Sequence, residues 1–325
     1  MQYTDRVYGA SEIVEPVILE LIACPTLQRL KEIDQAGYLE PYFPGASHSR
    51  FEHSVGVYLL LKNYGAPLDE QIAGLIHDVS HSAFSHCIDY VLAEGDIEKQ
   101  GHQDNVFDDF VRKSEIPSIL EKYGFDISRV LDDANFPLKE KDLPDLCADR
   151  IDYSLRSFVI FKAVENANYF LDHLTAQNGN WIFSDGESAT RYAELFMNVN
   201  NAYYCGLPSA VMFQTVADYL KEALKRNYIS EEDLYTTDKA VLEKIAPHHK
   251  EDGELARFFD RLNGRIGYKN DPNDYDAEVF CKSRVVDPLF LQAGELKRVS
   301  DMDPRWKTVI AENSKPKRHF IKFER

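Results

Sequence analysis

Apolar residues recur at intervals of three and four through the first 160 residues, and that period commits this part of the chain to helix. No run with a period of two stands there. Ile13, Val17, Ile18, Leu21 and Ile22 make one stripe; Leu27, Leu30 and Ile33 make another behind Pro25, a residue suited to a first helical turn. After the interruption PYFPGASHS, the pattern predicts a helix over 51–64, closed by Gly65 and Pro67. It predicts a third over 69–79, with Ile72, Leu75, Ile76 and Val79 on one face, and a long fourth over 143–162.

The later chain reads differently. QNGNWIFSDGESA at 177–189 predicts a turn and a short extended piece. Helix follows over 192–226, broken at Gly206-Leu207-Pro208. Past Gly264, EVFCKSRVVDPLF and RHFIKFE carry β-branched and aromatic residues between Asp-Pro turns, which predicts a small sheet. Three regions are expected: a core over 1–175, a helical second lobe over 176–265, and a small C-terminal region over 266–325. Trp181 and the Tyr/Phe-rich stretch 192–213 are expected to be packing.

Charge narrows the partners. With 54 acidic against 37 basic residues, the chain is poorly suited to sheathing a polyphosphate backbone, which needs clustered cations. From Arg305 onward the sign reverses: seven Lys or Arg stand against Glu312 and Glu324. This basic tail is read as a solvated strand or arm, with contact to nucleic acid or another anion as the weaker alternative. No apolar run reaches the roughly 18 residues of a membrane span, and the first residues lack a signal-peptide layout, so a soluble cytoplasmic protein is expected. Five dispersed cysteines without a CxxC pair are expected to be small core residues.

Six of the ten histidines, His48, His53, His77, His81, His86 and His102, crowd into one stretch. His81 stands four residues beyond His77, so its ring would share a helical face if that helix continued. A cation with imidazole and carboxylate ligands needs such side chains converging from several elements. LCADRIDYSLRSF offers a further carboxylate: Asp149, Asp152, Tyr153 and Arg156 fall on a polar stripe of an otherwise apolar helix. Asp152 reads as a supporting charge behind the ligands. His48 is read either as a loop-structuring residue or as a substrate contact, and His248-His249 as exposed loop.

The runs RLKEIDQAGYLEPYFPGASHSRFEHSVGVYLL, AGLIHDVSHSAFSHCIDYVL and CADRIDYSLR strongly resemble the HD-domain phosphohydrolase superfamily. Within it the chain looks closest to the deoxynucleoside triphosphate triphosphohydrolases, including those that join a SAM domain to an HD domain, with no SAM segment in this sequence. The resemblance is dense over 28–102 and 146–156. It implies an all-α fold, an HD helical bundle with a metal at its centre, beside the second lobe and a small C-terminal α+β region. Residue by residue, it implies that His53, His77, Asp78 and Asp149 hold the metal. His81 and His86 would line the phosphate side, and Asp89 and His102 would orient and protonate the histidine at the scissile bond. Arg50 would bind phosphate; Gln35 and Tyr153 would contact the deoxyribose, with Arg156 beside them.

Two departures stand out. Ser157 occupies the place of an aspartate that contacts the sugar 3′-hydroxyl in the family. The run NVNNAYYCGLPSAVMFQ lacks the cations that usually grip the triphosphate there. The expected activity is conversion of a dNTP and water to deoxynucleoside and triphosphate. A 5′-nucleotidase or phosphodiesterase of the same superfamily is the alternative, and a non-catalytic nucleotide-sensing or nucleic-acid-binding protein the alternative of another class. A His/Asp site admits manganese, iron, magnesium, nickel or zinc, as one ion or two. The implied partners are the nucleotide and further copies of the chain, since oligomers are common in the resembled family; no membrane partner is implied.

Overall fold

The computed structural model describes residues 1–92 and 100–324, a mainly helical fold with small sheets. Six helices frame the histidine-rich region and its surroundings: α1 (Arg50–Asn63), α2 (Leu68–Ile76), α3 (His102–Lys113), α4 (Ala148–Ile160), α5 (Gly186–Val199) and α6 (Leu207–Lys225). Helix α1 is buried on almost every side, from Arg50 through Leu61, as a helix apolar or small all round has to be. It packs on α2 and α4. Gly74 makes the first contact close, because a Cβ there would overlap the Leu61 side chain.

Helix α1 starts where its capping chemistry dictates. Ser49 and Glu52 form a reciprocal capping box that satisfies two otherwise orphaned amides. The cap fixes the register of Arg50 and His53, one turn apart on one face. Ser49→Ala is expected to cost about 1 kcal/mol and to lower the thermal midpoint by about 2 °C. Thermal denaturation followed by circular dichroism measures it.

Several boundaries differ from the periodic reading. Helix α2 stops at Ile76 rather than 79: Val79 N–H bonds the Ile76 carbonyl and His81 N–H the Asp78 carbonyl, tight turns in place of a continuing helix. Helix α4 begins at Ala148 rather than 143, because Pro144 disfavours helical backbone at Leu143. Asp149 therefore lies in the first turn, where the helix dipole favours a carboxylate.

The first residues are not helical. Gln2–Asp5 (β1) and Gly9–Glu12 (β2) pair antiparallel. Both strands are largely exposed and polar, so no apolar alternation betrays them. Leu174–Gln177 (β3) and Asn180–Phe183 (β4) form a hairpin around Asn178-Gly179, both residues at positive φ, where the sequence predicts a turn and one extended piece. The remaining strands are β5 (Tyr268–Asn270), β6 (Ala277–Cys281), β7 (Leu289–Gln292), β8 (Glu295–Arg298) and β9 (Lys317–Phe323). They build two sheets, not one. Strand β7 pairs parallel with β4 to give the order β3-β4-β7-β8, while β9 runs between β5 and β6.

That last pairing bears on the basic tail. Residues 317–323 are the central strand of a sheet rather than an arm. Lys322 pairs with Asp274 and Asp276, and Arg318 with Glu278. These cations are satisfied within the chain. Trp181 is 2% exposed and belongs to the core with Phe158, Phe183 and Tyr192. All five cysteines are buried and free. Among the described residues no helix is long and apolar enough to cross a membrane.

Candidate metal centre

Three places in the fold converge: the first turns of α1, the turn after α2, and the first turn of α4. They bring together His53, His77, Asp78 and Asp149. The Nε2 atoms of His53 and His77 lie 3.2 Å apart, and Asp149 Oδ1 lies 2.9 Å from the first and 3.5 Å from the second. Asp78 Oδ1 is 3.5 Å from His77 Nε2, and its Oδ2 is 3.6 Å from His53 Nε2. His53, His77 and Asp149 each present a ligand atom within 4.8 Å of the others. Asp78 sits at the edge of that group, one oxygen held by Arg50 Nη1 at 2.6 Å.

The far side of each ring fixes which nitrogen faces the cluster. His53 Nδ1 donates to Asp152 Oδ2 at 2.7 Å, and His77 Nδ1 donates to the Gly74 carbonyl at 2.7 Å. Both Nε2 atoms are thereby turned to Asp149, with the partners that orient histidine ligands. Two imidazole nitrogens and flanking carboxylate oxygens suit a borderline or hard divalent cation.

Burial opposes a charge on His53, but the bonds to Asp149 and Asp152 and the charges of Asp152 and Asp78 outweigh it and raise its pKa to about 10. His77 is raised too, against burial, by Asp78 and Asp149. Burial would raise Asp78 and Asp149. Arg50 and His77 hold Asp78 well below the usual range, and His53 and His77 do the same for Asp149. Without a cation, the cluster therefore holds a proton on His53. That proton stabilises the fold fully below pH 6.5, and the contribution is lost as the pH rises through about 10. A cation has to displace it. Metal affinity is expected to tighten roughly tenfold per pH unit between about 6.5 and 8.5; chelator competition across that range measures it, and a flat profile would remove His53 from the ligand set.

Behind His53 runs a buried charge chain. Asp152 accepts from Arg156 Nη2 at 2.9 Å and Nε at 3.2 Å, and Arg156 Nη2 also donates to Asp5 at 3.1 Å. Arg156 is 0% exposed. It is therefore not a substrate contact, as the resemblance implies, but the clamp on Asp152. Gly56 lets the two helices close over this chain, since a Cβ there would overlap Asp152 Oδ1 and Arg156 Nη2. Arg50 is likewise engaged by the protein: beyond Asp78, it donates to Ser85 Oγ at 2.7 Å and to the Gln35 carbonyl at 2.8 Å, and it is 1% exposed.

The segment after α2 is strained. Phe84 and Ser85 have φ of 59° and 47°, uncommon for residues bearing a Cβ. The turn delivers Ser85 to Arg50 and His86 into a cavity beside the cluster. His81 Nε2 reaches Asp78 Oδ1 at 3.3 Å, and its ring centroid is 5.1 Å from that of His86. Burial and the Arg50 charge hold both rings neutral, His81 at about 3 and His86 well below its ordinary value. The expected His86–Asp89 pair is not made. Asp89 instead accepts the His102 backbone N–H at 3.1 Å, one of the free amides that open α3. His102 Nε2 meets the Tyr235 hydroxyl at 2.9 Å.

Four of the residues that line the cavity hold unpartnered polar atoms. Gln35 Oε1, His48 Nε2, His86 Nδ1 and the Tyr153 hydroxyl are all buried without a hydrogen-bond partner among the described residues. Ser157 Oγ accepts from the Tyr204 hydroxyl at 2.8 Å, and both residues line the same cavity. Arg284 also lines the cavity, and sequence reasoning missed it. No local signal marks it, because residues 282–288 form neither helix nor strand. Asp5 had none either. His248 stacks on Tyr228 and His249 bonds Tyr219, neither near the cluster's residues.

The HD domain family model matches residues 50–156, the span that holds all four of these converging side chains. The chain is 35% identical over 295 residues to the protein YdhJ of Bacillus subtilis, covering 90% of this chain and 89% of that protein. It is 35% identical over 207 residues to the metal-dependent phosphohydrolase cns2 of Cordyceps militaris, covering 61% of this chain and 57% of that protein. It is 36% identical over 140 residues to human deoxynucleoside triphosphate triphosphohydrolase SAMHD1, 37% of this chain but only 22% of that one. The crystal structure of a phosphohydrolase from Bacteroides thetaiotaomicron superposes over 100% of both chains with a TM-score of 0.72 at 16% identity, a shared fold.

Proposed function

The chain belongs to the HD-domain family and is a metal-dependent phosphohydrolase, and from there we propose that its substrate is a deoxynucleoside triphosphate, cleaved by water to deoxynucleoside and inorganic triphosphate. The observation that carries this reading is that four residues lining one cavity, Gln35, His48, His86 and Tyr153, each hold a buried polar atom without a hydrogen-bond partner among the described residues. Such groups cost roughly 1–3 kcal/mol each unless something pairs with them. A nucleoside supplies hydroxyls and ring nitrogens for that purpose, and its base would lie toward Phe161 and Tyr203 on the same cavity. The stretch shared with SAMHD1 supports the choice of nucleotide.

In this reading His53, His77, Asp78 and Asp149 hold the divalent ion. Such an ion supplies Lewis acidity, which makes hydroxide available near neutrality and withdraws charge from phosphoryl oxygens. Arg50 keeps Asp78 ionised and aimed. His81, held neutral against Asp78, keeps that carboxylate in place. His86 gives its proton to the departing 5′-oxygen as the bond to the α-phosphorus breaks. The burial that keeps His86 neutral in the free protein is offset once phosphate charges lie beside it, so the proton arrives with the substrate.

Phosphorus NMR of the four dNTPs, the four NTPs and a monophosphate panel, with protein reconstituted in turn with manganese, iron, magnesium and nickel, tests the assignment. Inorganic triphosphate is the expected product, from dNTPs in preference to NTPs. Orthophosphate released only from monophosphates would refute it in favour of a nucleotidase. Turnover of nothing in the panel would refute it as well.

A further inference from the structure

The cavity carries a cation that the proposed hydrolysis leaves unused. Arg284 lies on the segment that joins β6 to β7 and lines the same space as His86 and Tyr153. Among the described residues no carboxylate pairs with its guanidinium. Its neighbours in the C-terminal region behave otherwise: Arg298, Arg305 and Arg318 each hold one. In a chain with 54 acidic residues, a half-buried arginine without a carboxylate is conspicuous.

The segment is built rather than loose. Asn200 is fully buried at the start of a π turn, Asn200–Tyr204, that interrupts the passage from α5 to α6. Its Oδ1 accepts the Arg284 backbone N–H at 2.9 Å, and its Nδ2 donates to Ser283 Oγ at 3.0 Å. A π turn pushes one residue out of helical register, and such turns concentrate at functional sites. Here the displaced amide pins Arg284 to the cavity. Lys282, two residues earlier in the segment, is half-buried. Burial, and after it the charge of Arg284, brings its pKa down to about 8. Both cations lie close enough to help keep His86 unprotonated.

We propose that Arg284 is the anion grip of this site and binds the substrate's phosphates from the C-terminal region. A guanidinium held at reduced solvation without a carboxylate gains from an anionic partner, and a phosphate chain supplies one. The forked guanidinium matches two phosphate oxygens at once. This supplies the positive charge that NVNNAYYCGLPSAVMFQ lacks. The proposal rests on the triphosphate reading only for the identity of the anion.

The test uses the full chain with manganese, inorganic triphosphate and deoxyguanosine as separate probes, and titration calorimetry on wild type, Arg284→Ala and Arg284→Lys. Arg284→Ala is expected to weaken inorganic triphosphate roughly ten- to a hundredfold while moving deoxyguanosine less than about twofold. Arg284→Lys should recover part of the loss. Where dNTPs turn over, KM should rise by a similar factor and by more than kcat falls. The side chain has no protein carboxylate to lose, and an unchanged thermal midpoint confirms that the variant folds. Wild-type binding of triphosphate without dNTP hydrolysis, lost in Arg284→Ala, would refute the substrate reading and leave the grip standing. Hydrolysis of dNTPs with Arg284→Ala indistinguishable from wild type would overturn the grip alone. No triphosphate binding by wild type, or equal weakening of both probes, would overturn it too.

Discussion

His77→Ala is expected to leave a folded protein that no longer retains a divalent ion and hydrolyses its substrate at least ~10³-fold more slowly. The choice of ligand matters. Removing Asp78 would strand Arg50, which is 1% exposed and pairs with Asp78 at 2.6 Å, and an uncompensated buried charge costs about 3–5 kcal/mol. Removing His53 would open the bond to Asp152 and disturb Arg156 behind it. His77 has one bond outside the cluster, to the Gly74 carbonyl at the end of its own helix. Its loss therefore separates ligation from folding. Metal content after dialysis, turnover by phosphorus NMR and the thermal midpoint together check the prediction. A variant with full metal content and undiminished turnover would refute ligation by His77.

Much of this cluster was legible before the fold because histidine is scarce and six of ten crowd one stretch. The stripe Asp149, Asp152, Tyr153 and Arg156 was also legible, since helical periodicity alone sets it. What each member faces was not. Arg156 and Tyr153 are neighbours on one stripe, yet one is clamped by Asp5 and the other opens on the cavity. That difference depends on β1, an exposed polar strand with no periodic signature. The His86–Asp89 pairing failed for a similar reason. Sequence spacing says which groups can meet, but the free backbone amides at the start of α3 compete for the same carboxylate. Arg284 was missed because it is more than a hundred residues from the histidines and reaches the cavity through sheet pairing. The parallel match of β7 with β4 is non-local, and no local pattern announces it.

Gly56→Ala is expected to destabilise the protein by about 3–5 kcal/mol, against the usual sign of such a change. Within a helix, alanine gains up to ~1 kcal/mol over glycine through backbone entropy alone. Here the added Cβ would overlap Asp152 Oδ1 and Arg156 Nη2. Neither can step aside at little cost, because both are 0% exposed and held by further partners, Asp152 by His53 at 2.7 Å through Oδ2 and Arg156 by Asp5 at 3.1 Å through Nη2 itself. Moving either one opens a buried ion pair, and that loss outweighs the entropy gain several-fold. The thermal midpoint should fall by about 6–10 °C. The effect should also reach the cluster: a His53 that has lost its carboxylate orients poorly, so metal affinity should drop about 10- to 100-fold. Asp152→Asn separates the two consequences, because it keeps the volume and an acceptor for His53 Nδ1 while removing the charge opposite Arg156. Thermal denaturation and chelator competition on all three proteins check the pair of effects. A Gly56→Ala protein as stable as wild type would mean that α1 and α4 can slide apart without breaking the charge chain, and the close approach of these helices would then not be what holds His53 in place.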